Sequence, residues 1–363
     1  MNIRARAKLL TAIGLSFSLS MPLYTGAASP KGSAECTSSN SGINKKLPTT
    51  LQEATSKRKC IPFAAWQRMG AKKESATALA QVEVFIGPNT KPWFSKVPGA
   101  VQSVVQLFPN SPQPQMSYFI YYNFKDAAWA KKKLQSLVSA NEYENFSRNE
   151  NERVTESNCE EARKDCFGSK ALTAESGKGF VLLGVPNALN NGDPVADYRF
   201  KAGMLEAHEF FHLLQDIPLV GKGLEQLDWP PGWVTEGGAE YIQNGAINKG
   251  SFKKYLDFRA LDSSDLYQMK WLYTEKYLAE YLRQSISERR GSQYNSWLSY
   301  NLGSRFIEVL VAIKGQESLL QLNYELATKI GFAQAFEKVY GISWNKAVPI
   351  LAKVVSSDIA QKS

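Results

Sequence analysis

The sequence predicts an α+β fold in which a strand-containing half precedes a mainly helical half. Short runs rich in β-branched and aromatic residues occur up to about residue 185, and turn-forming residues separate them. From about Phe200, apolar residues instead recur at spacings of three and four, which is typical of amphipathic helices. We therefore expect a lead-in segment over residues 29–75, an α+β lobe over residues 76–200 and a helical lobe over residues 201–363.

Three strands and one helix are predicted in the first lobe. The strands are Val82–Ile86, Met116–Phe124 and Gly179–Val185, which are β-branched or aromatic along most of their length. Asp126 is expected to cap the N-terminus of a helix that runs to about residue 138. Residues 141–164 are dense in Glu, Asn, Ser and Arg, which indicates a surface loop.

Periodic apolar residues predict five helices in the second lobe. Four glycines fall mostly at the expected helix ends, where a residue without a side chain is favoured. These glycines are Gly303, Gly315, Gly331 and Gly341. The predicted helices are Met204–Leu214, Trp271–Leu282, Tyr300–Ile313, Leu319–Ile330 and Ala347–Val355.

The N-terminus has the pattern of a cleaved secretory signal peptide over residues 1–28. Arg4, Arg6 and Lys8 precede an apolar run from Leu9 to Tyr24, and small residues follow. A membrane anchor is the alternative, but the run is short and interrupted by Ser, Thr and Pro. We therefore expect an exported protein, periplasmic or extracellular, with no integral membrane segment in its mature form.

The four cysteines fit the oxidising environment of an exported protein. Pairing of Cys36 with Cys60 and of Cys159 with Cys166 is the simplest of three possible connectivities. A metal site made of all four cysteines is the alternative. It requires closely spaced cysteine pairs, which this sequence lacks.

The positive charge of the chain is modest and spread along its length. The formal net charge of +9 falls to +6 without the signal peptide, whose three basic residues have no acidic counterpart. Lys57-Arg58-Lys59 and Lys131-Lys132-Lys133 are typical of solvated faces rather than of a nucleic-acid-binding stripe. We expect no nucleic-acid partner. A basic protein that binds cell wall or another anionic polymer remains an alternative.

The chain has two histidines, and both lie in the segment Ala207–Gln215 (A-H-E-F-F-H-L-L-Q). On a helix, His208 and His212 share one face, so both imidazoles can bind the same metal ion. Glu209 is rotated by about one hundred degrees from His208 and lies beside that face. This is the H-E-x-x-H pattern, in which two histidines bind Zn²⁺ and the glutamate acts as general base.

Two core histidines on an amphipathic helix are the alternative explanation. Phe210, Phe211, Leu213 and Leu214 do indicate a buried helix. Burial alone gives no reason for a carboxylate beside His208, because an unpaired buried carboxylate costs several kcal/mol. A third protein ligand is needed to decide, since catalytic zinc sites have three.

The third ligand is predicted in the segment Trp233–Tyr241 (W-V-T-E-G-G-A-E-Y). Pro231-Gly232 before it and Asn244-Gly245 after it indicate a helix of about three turns. Glu236 and Glu240 share one face of that helix. One carboxylate can then bind the cation while the other accepts a hydrogen bond from an imidazole N–H. A solvated acidic face is the alternative.

Together, the two segments resemble the gluzincin metallopeptidases, and they are most similar to the secreted peptidase MA-like members. The resemblance implies a zincin-like fold with an active-site cleft between a mixed β-sheet lobe and a helical lobe. It implies that His208, His212 and Glu236 bind Zn²⁺. It also implies that Glu209 is the general base and that Glu240 is the acid that supports a ligand histidine from outside the metal site.

The resemblance runs from about Gly203 to the C-terminus, and the strand lobe matches only in broad order. It implies cleavage of peptide or protein substrates, and we expect the protein to be a monomer. The G-x-M-E-N segment of zinc aminopeptidases and the N-E-x-x-S-D segment of thermolysin are absent. A peptide could add as an extra strand at a sheet edge, for which we expect Phe180–Gly184. A non-catalytic protein of the same fold, acting as a binding module, is the alternative.

The segment Ser299–Gly303 (S-Y-N-L-G) resembles the Y-x-x-G helix start of aminopeptidase-type gluzincins. This resemblance implies that Tyr300 binds the oxyanion of the reaction. The alternative is a core aromatic residue at a helix start, and Tyr294 is the second candidate for the catalytic role. Asp216, four residues after His212, could orient a ligand histidine or cap the helix end.

Overall fold

The computed structural model describes residue 36 and residues 46–70, 80–149, 153–189, 194–225, 227–287 and 293–361. The predicted signal peptide (residues 1–28) and most of residues 29–45 lie outside these ranges. The described chain has a mixed α/β architecture with a small sheet and many helices.

A mixed sheet of four strands lies in the N-terminal half. The strands in chain order are β1 (Val82–Ile86), β2 (Met116–Tyr122), β3 (Cys159–Glu160), β4 (Asp165–Cys166), β5 (Gly168–Thr173) and β6 (Lys178–Gly184). The main sheet has the order β1-β2-β6-β5, and β3 and β4 form a separate short hairpin. β1, β2 and β6 are parallel, whereas β5 runs antiparallel to β6 at the sheet edge.

Helices cover both faces of the sheet and make up the C-terminal half. In chain order they are α1 (Leu51–Ala54), α2 (Ile61–Gly70), α3 (Val97–Val105), α4 (Ala127–Leu137), α5 (Ala140–Asn149), α6 (Pro194–Ala202), α7 (Met204–Asp216), α8 (Gly232–Asn248), α9 (Phe252–Asp262), α10 (Ser264–Gln268), α11 (Glu275–Ser285), α12 (Asn301–Lys314), α13 (Glu317–Leu326), α14 (Phe332–Tyr340) and α15 (Trp344–Gln361).

Alternate side chains of the strands fill two separate apolar cores, because successive residues point to opposite faces. Phe119 and Leu183 lie in the larger core, which also contains the apolar side chains of α7, α8 and α12. Ile120 and Leu182 lie in the smaller core, beneath α4 and α5. The sheet therefore separates α7 from α4 and α5.

The three predicted strands are confirmed to within two residues at each end. β5 was not predicted, because its sequence G-S-K-A-L-T lacks a run of β-branched or aromatic residues. The expectation that Phe180–Gly184 forms a sheet edge is wrong, because β6 is paired with β2 on one side and with β5 on the other. The edge strand on that side of the sheet is β5.

The five predicted helices correspond to α7, α11, α12, α13 and α15, with shifted ends. The prediction of a surface loop over residues 141–164 is wrong for its first part, which belongs to α5. Gly245 does not end α8, and Gly303 lies within α12 rather than at its end. The carboxylate of Asp126 makes no capping bond to α4 and instead accepts hydrogen bonds from Asn89 and Thr90.

Both predicted disulfides, Cys36–Cys60 and Cys159–Cys166, are confirmed. The first joins Cys36 to Cys60, the residue directly before α2. The described part of the lead-in segment is mostly helical. The second joins β3 to β4 across the short hairpin. Within the ranges described, none of the helices combines the length and apolar character needed to cross a membrane.

A pair of glycines brings α8 and α12 into backbone contact. A Cβ atom at Gly237 would lie 2.6 Å from the Cα atom of Gly303, and one at Gly303 would lie 2.9 Å from the carbonyl oxygen of Trp233. Neither position can accommodate a side chain without moving a backbone. This close crossing places the start of α12 beside the middle of α8.

Replacement of Gly237 by alanine should destabilise the protein by about 1–3 kcal/mol, because the added methyl group must push α12 away from α8. Gly99→Ala is the control, since a Cβ there has no heavy atom within 4 Å and Gly99 also lies in a helix. The control should be neutral or slightly stabilising. Urea denaturation of both variants measures the difference, and equal stabilities would contradict the crossing.

Candidate metal centre

α7 carries both histidines and Glu209 into the region between the sheet and α8. It begins after Gly203, which has a φ of 81°, a conformation that favours glycine. The apolar residues of α7, including Phe210 and Phe211, lie in the larger core. His208 and Glu209 are nonetheless almost fully buried, at 6 % and 4 % exposure. The helix therefore holds polar side chains in a place where burial is costly unless they have partners.

The two imidazoles lie on one face of α7, as the spacing predicts. The Nε2 atoms of His208 and His212 are 3.1 Å apart. An oxygen of Glu236, on α8, lies 3.5 Å from Nε2 of His208 and 3.3 Å from Nε2 of His212. One ligand atom from each of these three residues lies within 4.8 Å of the others. The structure thus brings together the three side chains predicted as metal ligands.

The donor atoms of this cluster suit a divalent transition-metal cation. Two imidazole nitrogens and one carboxylate oxygen converge from two helices, and such a set is typical of three-ligand metal sites with an open position. Nearby buried oxygens also lack hydrogen-bond partners among the described residues, namely Oε2 of Glu209 and Oε2 of Glu240. Unpartnered buried oxygens are uncommon in proteins, and their presence here fits a site that takes a further polar group.

Gln215 fixes the orientation of His212. Its side-chain oxygen lies 2.7 Å from Nδ1 of His212, and its Nε2 donates to the carbonyl oxygens of Val234 and Thr235 on α8. Gly238 permits this approach, because a Cβ there would lie 2.9 Å from Nε2 of Gln215. This contact was not predicted, although Gln215 follows His212 by one helical turn.

Asp216 was predicted either to orient a histidine or to cap the end of α7. No hydrogen bond joins it to His212 among the described residues; its carboxylate accepts one from the Thr173 hydroxyl of β5, at 3.2 Å. Its backbone carbonyl accepts hydrogen bonds from Leu219 and Val220 after the helix end. Asp216 therefore joins α7 to the edge strand.

Glu240 lies behind His208, on the side away from Glu236. Its Oε2 atom is 3.7 Å from Nδ1 of His208, which is longer than a hydrogen bond. Its Oε1 atom accepts hydrogen bonds from Arg199 of α6, at 2.5 Å, and from Gln243. Arg199 also contacts Asp262 at 2.8 Å. Glu240 thus lies beside His208 without a hydrogen bond to it, so its predicted support of a ligand histidine stays a prediction. Arg199, which also pairs with Asp262, is a partner that the sequence pattern did not reveal.

Glu209 makes a hydrogen bond to the sheet rather than to the residues of the cluster. The hydroxyl of Ser169, on β5, donates to Oε1 of Glu209 at 2.6 Å. The other oxygen of Glu209 is buried and has no hydrogen-bond partner among the described residues. Ser169 was missed by the sequence analysis because the strand that carries it was missed.

Tyr300 lies over the metal cluster at the start of α12. Its ring stacks on that of His208, with centroids 6.0 Å apart and planes 12° apart. Burial raises the pKa of the Tyr300 hydroxyl well above its usual value, and the carboxylates of Glu236 and Glu209 raise it further. The group therefore keeps its proton at neutral pH. Tyr294 instead contacts the rings of other tyrosines in α11.

The two histidines differ in their protonation. Burial alone lowers the pKa of both, and it prevails at His208. At His212, neighbouring carboxylates, chiefly that of Glu236, outweigh burial and raise the pKa to about 10. Burial would raise the pKa of Glu236, but the two histidines hold it well below its usual value. Without a cation, His212 and Glu236 therefore form an ion pair beside a neutral His208.

Neither models of known protein families, nor curated proteins, nor solved structures match this chain. The resemblance to gluzincins therefore depends on the short segments around His208, Glu236 and Tyr300 and on the positions of their side chains. The site is the part of the molecule from which a function can be argued.

If the cluster binds Zn²⁺, binding should release about one proton per chain at pH 7, because His212 is protonated there and a histidine must lose that proton to bind a metal ion. The affinity should then rise about tenfold per pH unit from pH 7 to pH 9, below the pKa of His212. Calorimetric titration in two buffers of different ionisation enthalpy counts the protons. Glu236→Gln should bind more weakly and release fewer protons, whereas pH-independent binding by the wild type would contradict the ion pair.

Proposed function

We propose that the protein is an exported zinc metallopeptidase of the gluzincin type. The observation that carries the proposal is the convergence of His208, His212 and Glu236 within 4.8 Å on the two helices that bear the predicted motifs. Zinc is the preferred cation because paired imidazoles with a carboxylate are a common catalytic zinc set. The two disulfides agree with an exported protein.

The chemistry of the residues around the cluster supports this proposal, because each can take a role in hydrolysis of a peptide bond. Zinc held there would act as a Lewis acid and lower the pKa of a water molecule. Oε2 of Glu209 is the oxygen free to take the proton of the attacking water, and the same carboxylate can then give that proton to the leaving amine. The Tyr300 hydroxyl, which keeps its proton, can donate a hydrogen bond to the carbonyl oxygen as charge develops on it.

The edge strand β5 supplies a surface for an extended substrate. Among the described strands, β5 pairs only with β6, so its other side can form backbone hydrogen bonds with a peptide. Ser169 of this strand touches Glu209, which puts an added peptide close to the proposed base. β5 therefore replaces Phe180–Gly184 as the proposed binding edge.

Glu209→Gln should retain one zinc per chain and lose about a hundredfold to ten-thousandfold in kcat, because it removes the base but no ligand. Glu236→Ala should lose both zinc and activity. Zinc content by atomic emission and cleavage of a diverse peptide pool are measured for each variant. Glu144→Gln is the control, since its exposed carboxylate pairs with Arg148 on the surface of α5. A wild type that binds zinc but cleaves no peptide would favour the non-catalytic binding module.

Tyr300→Phe should lower kcat by about a hundredfold to a thousandfold with zinc content unchanged, because one hydrogen-bond donor to the oxyanion is removed. Tyr294→Phe is the matched control and should keep the wild-type kcat, since its ring packs against Tyr277 and Tyr281. Steady-state kinetics on one peptide compare the two variants. If both variants retain wild-type kcat, the oxyanion donor is another group.

A further inference from the structure

Two hydroxyl–carboxylate hydrogen bonds join the edge strand β5 to the histidine-bearing helix α7. Ser169 donates to Glu209 at 2.6 Å, and Thr173 donates to Asp216 at 3.2 Å. Four residues of a strand span about 13 Å and seven residues of a helix about 10 Å, so the pairs can face each other along the two elements. The two bonds are alike in chemistry, but only one involves the proposed base.

The bond from Ser169 makes the two oxygens of Glu209 unequal. Oε1 is occupied by the hydroxyl, whereas Oε2 is buried and lacks a hydrogen-bond partner among the described residues. A glutamate side chain has three rotatable bonds, and each extra conformation lowers the fraction of molecules with the base in place. Hydrogen bonds to a carboxylate are stronger than those between neutral groups, so one such bond can hold the side chain.

We propose that Ser169 is a positioning residue that fixes Glu209 with Oε2 as the oxygen that exchanges the proton. This role depends on the proposed peptidase function. The proton moves from water to Oε2 and then to the leaving nitrogen, while the Ser169 hydroxyl keeps its own proton. Ser169 also belongs to the edge strand β5. Its hydrogen bond to Glu209 therefore joins the strand that would bind the peptide to the base that would act on it.

The test compares zinc-loaded full-length wild type with Ser169→Ala, Ser169→Thr and Thr173→Val. Ser169→Ala should keep its zinc and a KM within about twofold, but lose roughly tenfold to a hundredfold in kcat. Ser169→Thr retains the hydroxyl and should recover most of the kcat. Thr173→Val is a comparison rather than a silent control, because it removes the bond to Asp216 from the same strand face and shows how far kcat depends on β5 as a whole. Its kcat should exceed that of Ser169→Ala by roughly tenfold or more.

Equal kcat values for Ser169→Ala and Thr173→Val would overturn the assignment, as would a loss that Ser169→Thr does not restore. Crystal structures of zinc-loaded wild type and Ser169→Ala provide a readout that does not need turnover. Glu209 should stay bonded to Ser169 in the wild type and change rotamer in Ser169→Ala. A wild-type Glu209 turned away from Ser169, or an unmoved one in Ser169→Ala, overturns the inference. A wild type without peptidase activity would contradict the proposed function. In that case the two crystal structures would still show whether Ser169 fixes the conformation of Glu209.

Discussion

The packing of α7 against α8 is the contact on which the candidate site depends. Gln215 crosses from one helix to the other: its side-chain oxygen accepts a hydrogen bond from Nδ1 of His212, and its side-chain nitrogen donates to two backbone carbonyls of α8. Gly238 leaves the space for that side chain. With the helices packed in this way, an oxygen of Glu236 lies within 3.5 Å of both imidazoles. A shift of one helix by even 1 Å would separate the ligand atoms, and catalytic geometry is sensitive to displacements of that size.

The other elements fix the same centre from different directions. The glycine contact between α8 and α12 places Tyr300 over His208. The edge strand β5 holds Glu209 from the sheet side. Arg199 of α6 holds Glu240 behind the histidines. Sheet and helices thus each contribute a polar residue to the surroundings of the cluster.

Features that depend on a short-range residue pattern, such as helical spacing or strand alternation, were predicted well from the sequence. Spacing of four residues placed His208 beside His212 and Glu236 on the same face as Glu240, and alternation or β-branching located three strands. β5 escaped prediction because its identity as a strand comes from pairing with β6, not from its own composition. Ser169 was therefore invisible as a partner of Glu209. The contacts of Arg199 with Glu240 and Asp262 join residues 41 and 63 positions away, and no local pattern encodes such distances.

The charges around α7 give a physical reason for a divalent cation at the cluster in place of the proton on His212. Burial raises the pKa of Glu206 to about 7 and also raises that of Glu240, so carboxylates lose their charge more easily in this region. Arg199 offsets part of the charge of Glu240, but it lies behind the histidines rather than among them. A single proton on His212 supplies one positive charge in the centre. A divalent ion between the imidazoles and Glu236 would supply two charges and would leave the histidines neutral, so it opposes the concentrated carboxylates more effectively than the proton it displaces.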